Sequence, residues 1–230
     1  PLLDSIEAQY EIYGKTTDEA QRRAIYARID SFSYEASKYA IANEYDKMMA
    51  GIGSTESNAY TSTDVTCYQE NIPCHALEPW AMVQSERFRN MVIRGFHTEL
   101  EAVYEEYNMH LTNDFDKMNN ALYRILFPHH PYGTQTTIGT QEHLKNPSLR
   151  NVMQYYREWY VPNNVAICMS GDLDPDETVR IIEKYFGDWQ PSDSLPKRIF
   201  PQEKPLEAPV SVDVVGMETP MVALGWRLPA

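Results

Sequence analysis

Residues 58–72 read Asn58-Ala-Tyr-Thr-Ser-Thr-Asp-Val-Thr-Cys-Tyr-Gln-Glu-Asn-Ile72, and residues 99–106 read Glu99-Leu-Glu-Ala-Val-Tyr-Glu-Glu106. The first stretch is rich in Thr, Tyr and Val, which are enriched in strands, and Pro73 ends it. The second stretch follows a helical pattern, which Thr98 is predicted to cap with Glu101 completing a capping box. A strand followed by an amphipathic helix indicates a fold that uses both kinds of element.

The predicted helix around Glu99 and Glu106 arranges its acids in two groups. At about 100° per residue, positions seven apart fall within about 20° of each other, so Glu99 and Glu106 share one stripe. Glu101 and Glu105 point towards solvent. The shared stripe, which His110 continues, borders an apolar face made by Phe96, Leu100, Val103, Tyr104, Tyr107 and Leu111.

Two carboxylates at the edge of a core are costly unless a cation, hydrogen bonds or a cleft compensates them. This cost singles out Glu99 and Glu106 on physical grounds. For the helix taken alone, an ordinary acidic flank facing solvent is the commoner explanation.

The remainder of the chain mixes helical and extended patterns. The first 50 residues are predicted to be helical, with Thr16–Glu19 as a capping box ahead of Ala24, Ile25, Ile29 and Phe32. Further helices are predicted to begin at Ser148 and after Asp174. Strands are predicted at residues 165–170, 210–215 and 221–226, and the proline-rich residues 190–209 read as an extended connector. Strict β-α-β alternation is absent, which indicates the α+β class.

Composition narrows the class of protein. The net charge of −13 repels phosphate backbones, so we expect no nucleic-acid partner. Three cysteines without a Cys-x-x-Cys pair argue against a disulfide framework. No apolar run approaches the roughly 20 residues needed to span a bilayer. Because the chain starts at Pro1 and stops just after an apolar run, we expect both ends to be cut from a longer protein.

With these motifs the chain resembles the pitrilysin/insulinase family of zinc peptidases, to which mitochondrial processing peptidase is related. The resemblance rests on the order and spacing of several pieces: Asn58-Ala59 before the strand, Glu99 and Glu106, the Pro131-Tyr132-Gly133 loop, and residues 161–165 running into Gly171-Asp172. It covers most of the chain, from about Asn43 onward. The inverted His-x-x-Glu-His motif of the family, which supplies two zinc ligands and the general base, does not occur in these residues.

The resemblance implies a role for each matching position. Glu106 corresponds to the third zinc ligand and Glu99 to the second acid, which supports the metal site without ligating the metal. Asn58 and Ala59 correspond to the segment that aligns a peptide substrate beside a strand. The implied reaction is peptide hydrolysis by metal-activated water. With one of the three zinc ligands, the isolated chain is expected to be inactive and to bind zinc weakly or not at all.

The resemblance also implies an architecture and a setting. We expect a mixed, mainly antiparallel sheet with helices packed on it, as in half of a processing-peptidase clamshell. Residues 1–42 would be a helical insertion and residues 43–230 an incomplete peptidase-like domain. The expected partners are a peptide substrate and the remaining half of the parent chain or a homologous subunit. Bacterial members of the family are often periplasmic or envelope proteins, which favours that location.

Two alternatives remain open at this point. One is a non-catalytic half or subunit that binds a peptide or a partner, although retention of both Glu99 and Glu106 argues against it. The other is a structural fragment with an accidental acidic stripe. For the histidines, a loop role is favoured over metal ligation at His129 and His130, and hydrogen bonding or surface exposure at His110. His97 and Glu101 are predicted to form a surface pair.

Overall fold

A computed structural model describes residues 2–228, and most of its regular structure is helical. The two strands, β1 (Glu56–Thr61) and β2 (Thr66–Asn71), pair as one antiparallel sheet. This architecture confirms the predicted α+β class. In chain order the helices are α1 (Leu2–Lys15), α2 (Glu19–Ser37), α3 (Glu44–Gly51), α4 (Leu77–Arg89), α5 (Phe96–Thr112), α6 (Asp114–Leu126), α7 (Pro131–Thr134), α8 (Gln141–Lys145), α9 (Leu149–Trp159) and α10 (Pro175–Phe186).

The chain divides into two compact units that interleave along the sequence. The first unit runs to Tyr60 and continues through residues 66–96 and 148–196. The second unit takes residues 61–65, 97–147 and the chain from Lys197 onward. The predicted division into residues 1–42 and 43–230 concerns the relation to the family, and it stays a prediction.

In the first unit, α1 and α2 form a helical hairpin. Ile25 and Ile29 are buried as their spacing predicts, but Ala24 is exposed because it lies on the outer side of α2. The predicted capping box also shifts. Asp18 is the N-cap and accepts a hydrogen bond from the Gln21 backbone at 2.8 Å, whereas the Thr16 hydroxyl donates back to the Ile12 carbonyl at the end of α1.

The first unit also contains β1 up to Tyr60, all of β2, and helices α3, α4, α9 and α10, and α4 packs against α10. The predicted single extended stretch is two strands, because residues 62–65 turn the chain back on itself. Two predicted helix starts are confirmed here. Ser148 caps α9, which ends before Pro162, and Asp174 caps α10.

In the second unit, α5 begins earlier than its capping pattern predicts. Phe96 is the first helical residue, so Thr98 lies inside the first turn and is not the N-cap. The predicted loop around Pro131 contains the short helix α7, which His130 caps by accepting a hydrogen bond from the Tyr132 backbone at 3.2 Å. α7 packs against α6.

Three predicted strands are not formed. Residues 165–170, 210–215 and 221–226 lack a ladder partner within residues 2–228, and a strand is stable only when its backbone groups are paired. Residues 190–209, all of them described, contain neither helix nor strand. Among residues 2–228, no helix has the length and apolar character that crossing a membrane requires.

Candidate functional site

The predicted zinc-site glutamates lie on one side of α5 and are both exposed. Glu106 keeps 62% of its side chain exposed, and Glu99 is exposed as well. We expected these two carboxylates to be costly because they would lie at the edge of a core. That expectation is wrong, because water solvates both groups. The apolar face of α5 that they border is itself incompletely covered: none of its residues is fully buried, and its last member, Leu111, is 51% exposed.

His110 connects Glu106 to a second acid. Its Nε2 atom lies 3.8 Å from Glu106 Oε1, and its Nδ1 atom lies 2.6 Å from Asp116 Oδ2. The hydrogen bond to Asp116 raises the pKa of His110, which favours the charged imidazolium. His110 therefore has the hydrogen-bonding role that the sequence predicted.

His97 is not part of a surface pair. Its ring is buried and lies 4.0 Å from the exposed carboxylate of Glu101, one turn further along α5. The i, i+4 spacing predicted the contact but could not tell which side chain faces the interior of the unit.

The described residues do not form a zinc site by themselves. Within residues 2–228 no group of three or more His, Cys, Asp or Glu side chains is arranged to hold a metal ion. Catalytic zinc sites use three protein ligands plus water. What α5 offers is one solvated carboxylate, Glu106, with Glu99 two turns before it, so at least two further ligands would have to come from outside these residues.

The predicted substrate residues lie on β1, in the first unit. All six residues of β1 are exposed, Asn58 and Ala59 among them. Asn58 Oδ1 accepts a hydrogen bond from the Ala59 backbone at 2.8 Å. Because the sheet has two strands, β1 is an edge strand, the kind of element to which an extended peptide can add.

One cluster of polar side chains in the first unit was not predicted from the sequence. It consists of Tyr45, Glu70, Gln84 and Arg87, and we call it the Glu70 cluster. The side chain of Glu70, on β2, is 6% exposed, and it accepts hydrogen bonds from the Tyr45 hydroxyl at 2.5 Å and Gln84 Nε2 at 3.2 Å. Burial and the bond to Glu70 raise the pKa of Tyr45. No spacing pattern links Tyr45 or Glu70 to the two residues on α4, because the four residues come from three separate elements.

His129 and His130 have loop roles, as expected, and His130 borders an open cavity of about 400 Å³ in the second unit. The backbone N–H groups of both histidines donate to Glu203 Oε1, at 2.7 and 2.8 Å. These hydrogen bonds help to hold the pKa of Glu203 below its ordinary value, against the opposing effect of desolvation. The cavity is lined by Phe127, His130, Tyr132, Phe200, Pro201, Gln202 and Glu203.

Comparisons with known proteins agree with the resemblance. Residues 148–230 match the family model described as the Peptidase M16 inactive domain. The zinc protease PqqE of Helicobacter pylori is 24% identical over 237 residues, which cover 98% of this chain and 51% of that protein. The uncharacterized zinc protease YmxG of Bacillus subtilis is 26% identical over 65% of this chain and 36% of its own length. The chain thus spans about half the length, or less, of these relatives.

Solved structures show the same fold. A protease from Helicobacter pylori superposes with a TM-score of 0.64 over 70% of this chain and 40% of its own, at 23% identity. The first half of the periplasmic protease PqqL from Escherichia coli gives a TM-score of 0.63 over 74% of this chain and 39% of its own, at 20% identity. The predicted resemblance is confirmed: the chain is a relative of the M16 peptidases, the pitrilysin/insulinase family.

Proposed function

We propose that the chain is part of a zinc-dependent endopeptidase that hydrolyses peptides or unfolded polypeptides. The observation on which this proposal rests is the pair Glu99 and Glu106, two solvated carboxylates seven residues apart on one helix of a chain related to zinc proteases. Glu106 supplies one zinc ligand and Glu99 supports it. The other two ligands, both histidines, and the general base come from residues outside this chain.

The substrate is an extended peptide that lies along β1 at Asn58 and Ala59. Main-chain hydrogen bonds to an edge strand give affinity with little dependence on side chains, which suits a peptidase of unfolded segments. The bound metal supplies Lewis-acid activation of the scissile carbonyl. The partner is the remaining half of the parent chain or a homologous subunit, and the location is the periplasm or cell envelope, as for the PqqL protein of known structure.

A second candidate is a non-catalytic half that binds a peptide or a partner. It is favoured by one observation, the match of residues 148–230 to a family model described as an inactive domain. In that case Glu106 is a solvated surface residue with no metal, and its substitution is silent.

The test uses the full-length parent protein and compares Glu106→Gln with Glu105→Gln. Glu105 is also exposed on α5 but points about 100° away from the stripe, so it is a matched control. We expect about one zinc per site in the parent, loss of both zinc and cleavage of a quenched fluorogenic peptide in Glu106→Gln, and no loss of either in Glu105→Gln. A parent that binds peptides but neither zinc nor a scissile substrate would favour the non-catalytic half.

A further inference from the structure

The carboxylate of Glu70 is held by side chains from two helices. Tyr45, on α3, donates its hydroxyl to Oε1, and Gln84, on α4, donates its amide to the same atom. Arg87, one turn after Gln84, places its Nη1 atom 3.8 Å from Oε1. Because three groups converge on one buried oxygen, they restrict where the Glu70 side chain can lie, and they thereby restrict β2, which carries it.

The rings around Arg87 restrict the cluster further. The guanidinium carbon lies 4.2 Å from the centre of the Tyr45 ring and 4.7 Å from the centre of the Tyr68 ring. A guanidinium over aromatic faces gains cation–π attraction, which strengthens as water is excluded. The same arginine therefore pairs with Glu70 and contacts a second residue of β2.

Tyr68 is a second anchor on the same face of β2. It lies two residues before Glu70, and side chains two apart on a strand point to one face. Its ring packs edge-to-face on Phe88 at 5.1 Å, and its hydroxyl lies 2.9 Å from the Tyr160 hydroxyl. A slip of one residue would turn both Tyr68 and Glu70 away from these partners, so the register of β2 is fixed.

β1 differs from β2 in its exposure. Every residue of β1 is exposed, and its pairing in the sheet is with β2. The position of the β1 backbone thus follows from the position of β2, which follows from Tyr68 and the Glu70 cluster.

We propose that the Glu70 cluster is a positioning device for the peptide-binding strand: it holds β2 in one register and thereby places the β1 backbone for hydrogen bonding to an extended peptide. This inference rests on the proposed function, in which β1 aligns the substrate. Tyr45, Glu70, Gln84 and Arg87 are positioning residues and contact no substrate.

The chemistry of the cluster suits such a role better than a role in bulk stability. Replacing a buried ion pair by apolar residues is often neutral or stabilising, because desolvation consumes much of the Coulomb attraction. For Glu70, whose side chain is 6% exposed and whose partner Arg87 is 35% exposed, we infer that the directed hydrogen bonds select one arrangement. Apolar contacts alone are less directional and would tolerate sliding of β2 more readily.

The test measures peptide hydrolysis by the full-length parent with Tyr45→Phe, which removes the hydroxyl donor and keeps the ring beside Arg87. Tyr39→Phe, at a tyrosine that is 77% exposed, is the matched control. Glu70→Gln is a second variant that keeps the size of the side chain and removes its charge. Each protein is assayed for zinc content, thermal midpoint, kcat and KM, with one peptide of about ten residues and one of about three, because β1 spans six residues.

We expect Tyr45→Phe and Glu70→Gln to raise KM for the long peptide about five- to tenfold, with zinc content and kcat close to the parent values, because binding along β1 is common to ground and transition states. KM for the short peptide changes less. If the cluster has a purely structural role, the variants will have a lower thermal midpoint and an unchanged KM in the folded fraction. That result overturns the positioning inference and leaves the proposed function standing. A parent protein that cleaves neither peptide overturns the proposed function, and the inference with it.

Discussion

Replacing Gly133 by alanine should destabilise the second unit, because α7 approaches the end of α6 more closely than a side chain allows. A Cβ atom at Gly133 would lie closer than 3.0 Å to the backbone carbonyl oxygens of both Tyr123 and Phe127. Real Cβ atoms essentially never come so near, and backbone oxygens cannot swing aside as a flexible side chain can. The turn between α6 and α7 must shift to accept the methyl group.

The magnitude follows from the cost of overpacking. Forcing an extra methyl group into a filled space costs about 1–3 kcal/mol. With a urea m-value of about 2 kcal/mol per molar, the unfolding midpoint of the unit should fall by about 0.5–1.5 M. The assay is urea denaturation, read out by hydrogen exchange of peptides from residues 114–134 so that the second unit is followed by itself.

Gly14→Ala is the control, because it makes the same chemical change at a position where the added methyl group has space. Gly14 lies near the end of α1, and a methyl group added there would meet no neighbouring atom within 4 Å. Alanine has the higher helix propensity, so this variant should stabilise the first unit by up to about 1 kcal/mol, and the urea midpoint read from residues 114–134 should not fall. If Gly133→Ala unfolds at the same urea concentration as the parent or at a higher one, the close approach of α7 to α6 is refuted.

Two further predictions concern the two compact units. In the second unit, the hydrogen bond from Lys117 and those from the Met217 and Glu218 backbones lower the pKa of Asp114 to about 2. The pKa of an aspartate in the unfolded chain is about 4. The ionised Asp114 therefore stabilises the folded state fully above about pH 4, and this contribution is lost as the pH falls towards 2. Acid titration of unfolding should show this loss in the parent and not in Asp114→Asn, and equal acid sensitivity would contradict it. In the first unit, Ile29→Ala should cost about 2–5 kcal/mol because Ile29 is fully buried, whereas Ile12→Ala, at a half-exposed position, should cost much less; equal unfolding free energies would show that the packing of α2 is misplaced.

The features that the sequence predicted correctly are those decided within a few residues. Ser148 and Asp174 cap their helices because a short side chain that accepts a hydrogen bond from the backbone three residues later needs no distant partner. The same locality allows small errors. Near Thr16 several capping residues stand together, and the structure selects Asp18, whose carboxylate reaches the Gln21 backbone.

The failed strands show what local pattern leaves out. Apolar and polar side chains alternate over part of residues 210–215. This pattern would place Val210, Val212 and Val214 on one face of a strand. All three are exposed, and no ladder forms. Alternation identifies which face of a segment would be buried, but a strand also needs a second segment with free backbone groups, and that requirement is not written in the segment itself.

The Glu70 cluster was invisible for a related reason. Gln84 and Arg87 are three residues apart and share a face of α4, which sequence alone could have indicated. Their partners, Tyr45 and Glu70, lie on a different helix and a strand, and only tertiary packing brings the four side chains to one oxygen. A buried carboxylate on a strand has no signature in composition or period.

The exposure of Glu106 changes what kind of argument can support its role. A buried carboxylate would have required a compensating cation or hydrogen bonds, and this requirement distinguished Glu99 and Glu106 in the sequence. A solvated carboxylate makes no such demand, so its burial energy says nothing for or against a metal. Exposure is nevertheless what a ligand must have if its metal is completed by residues from elsewhere. Glu105 and Glu106 are neighbours with the same chemistry and similar exposure, and they differ in the direction they face. A difference in zinc content between their glutamine variants would trace to the stripe that Glu106 shares with Glu99 and His110, which makes that comparison more informative than any variant of Glu106 alone.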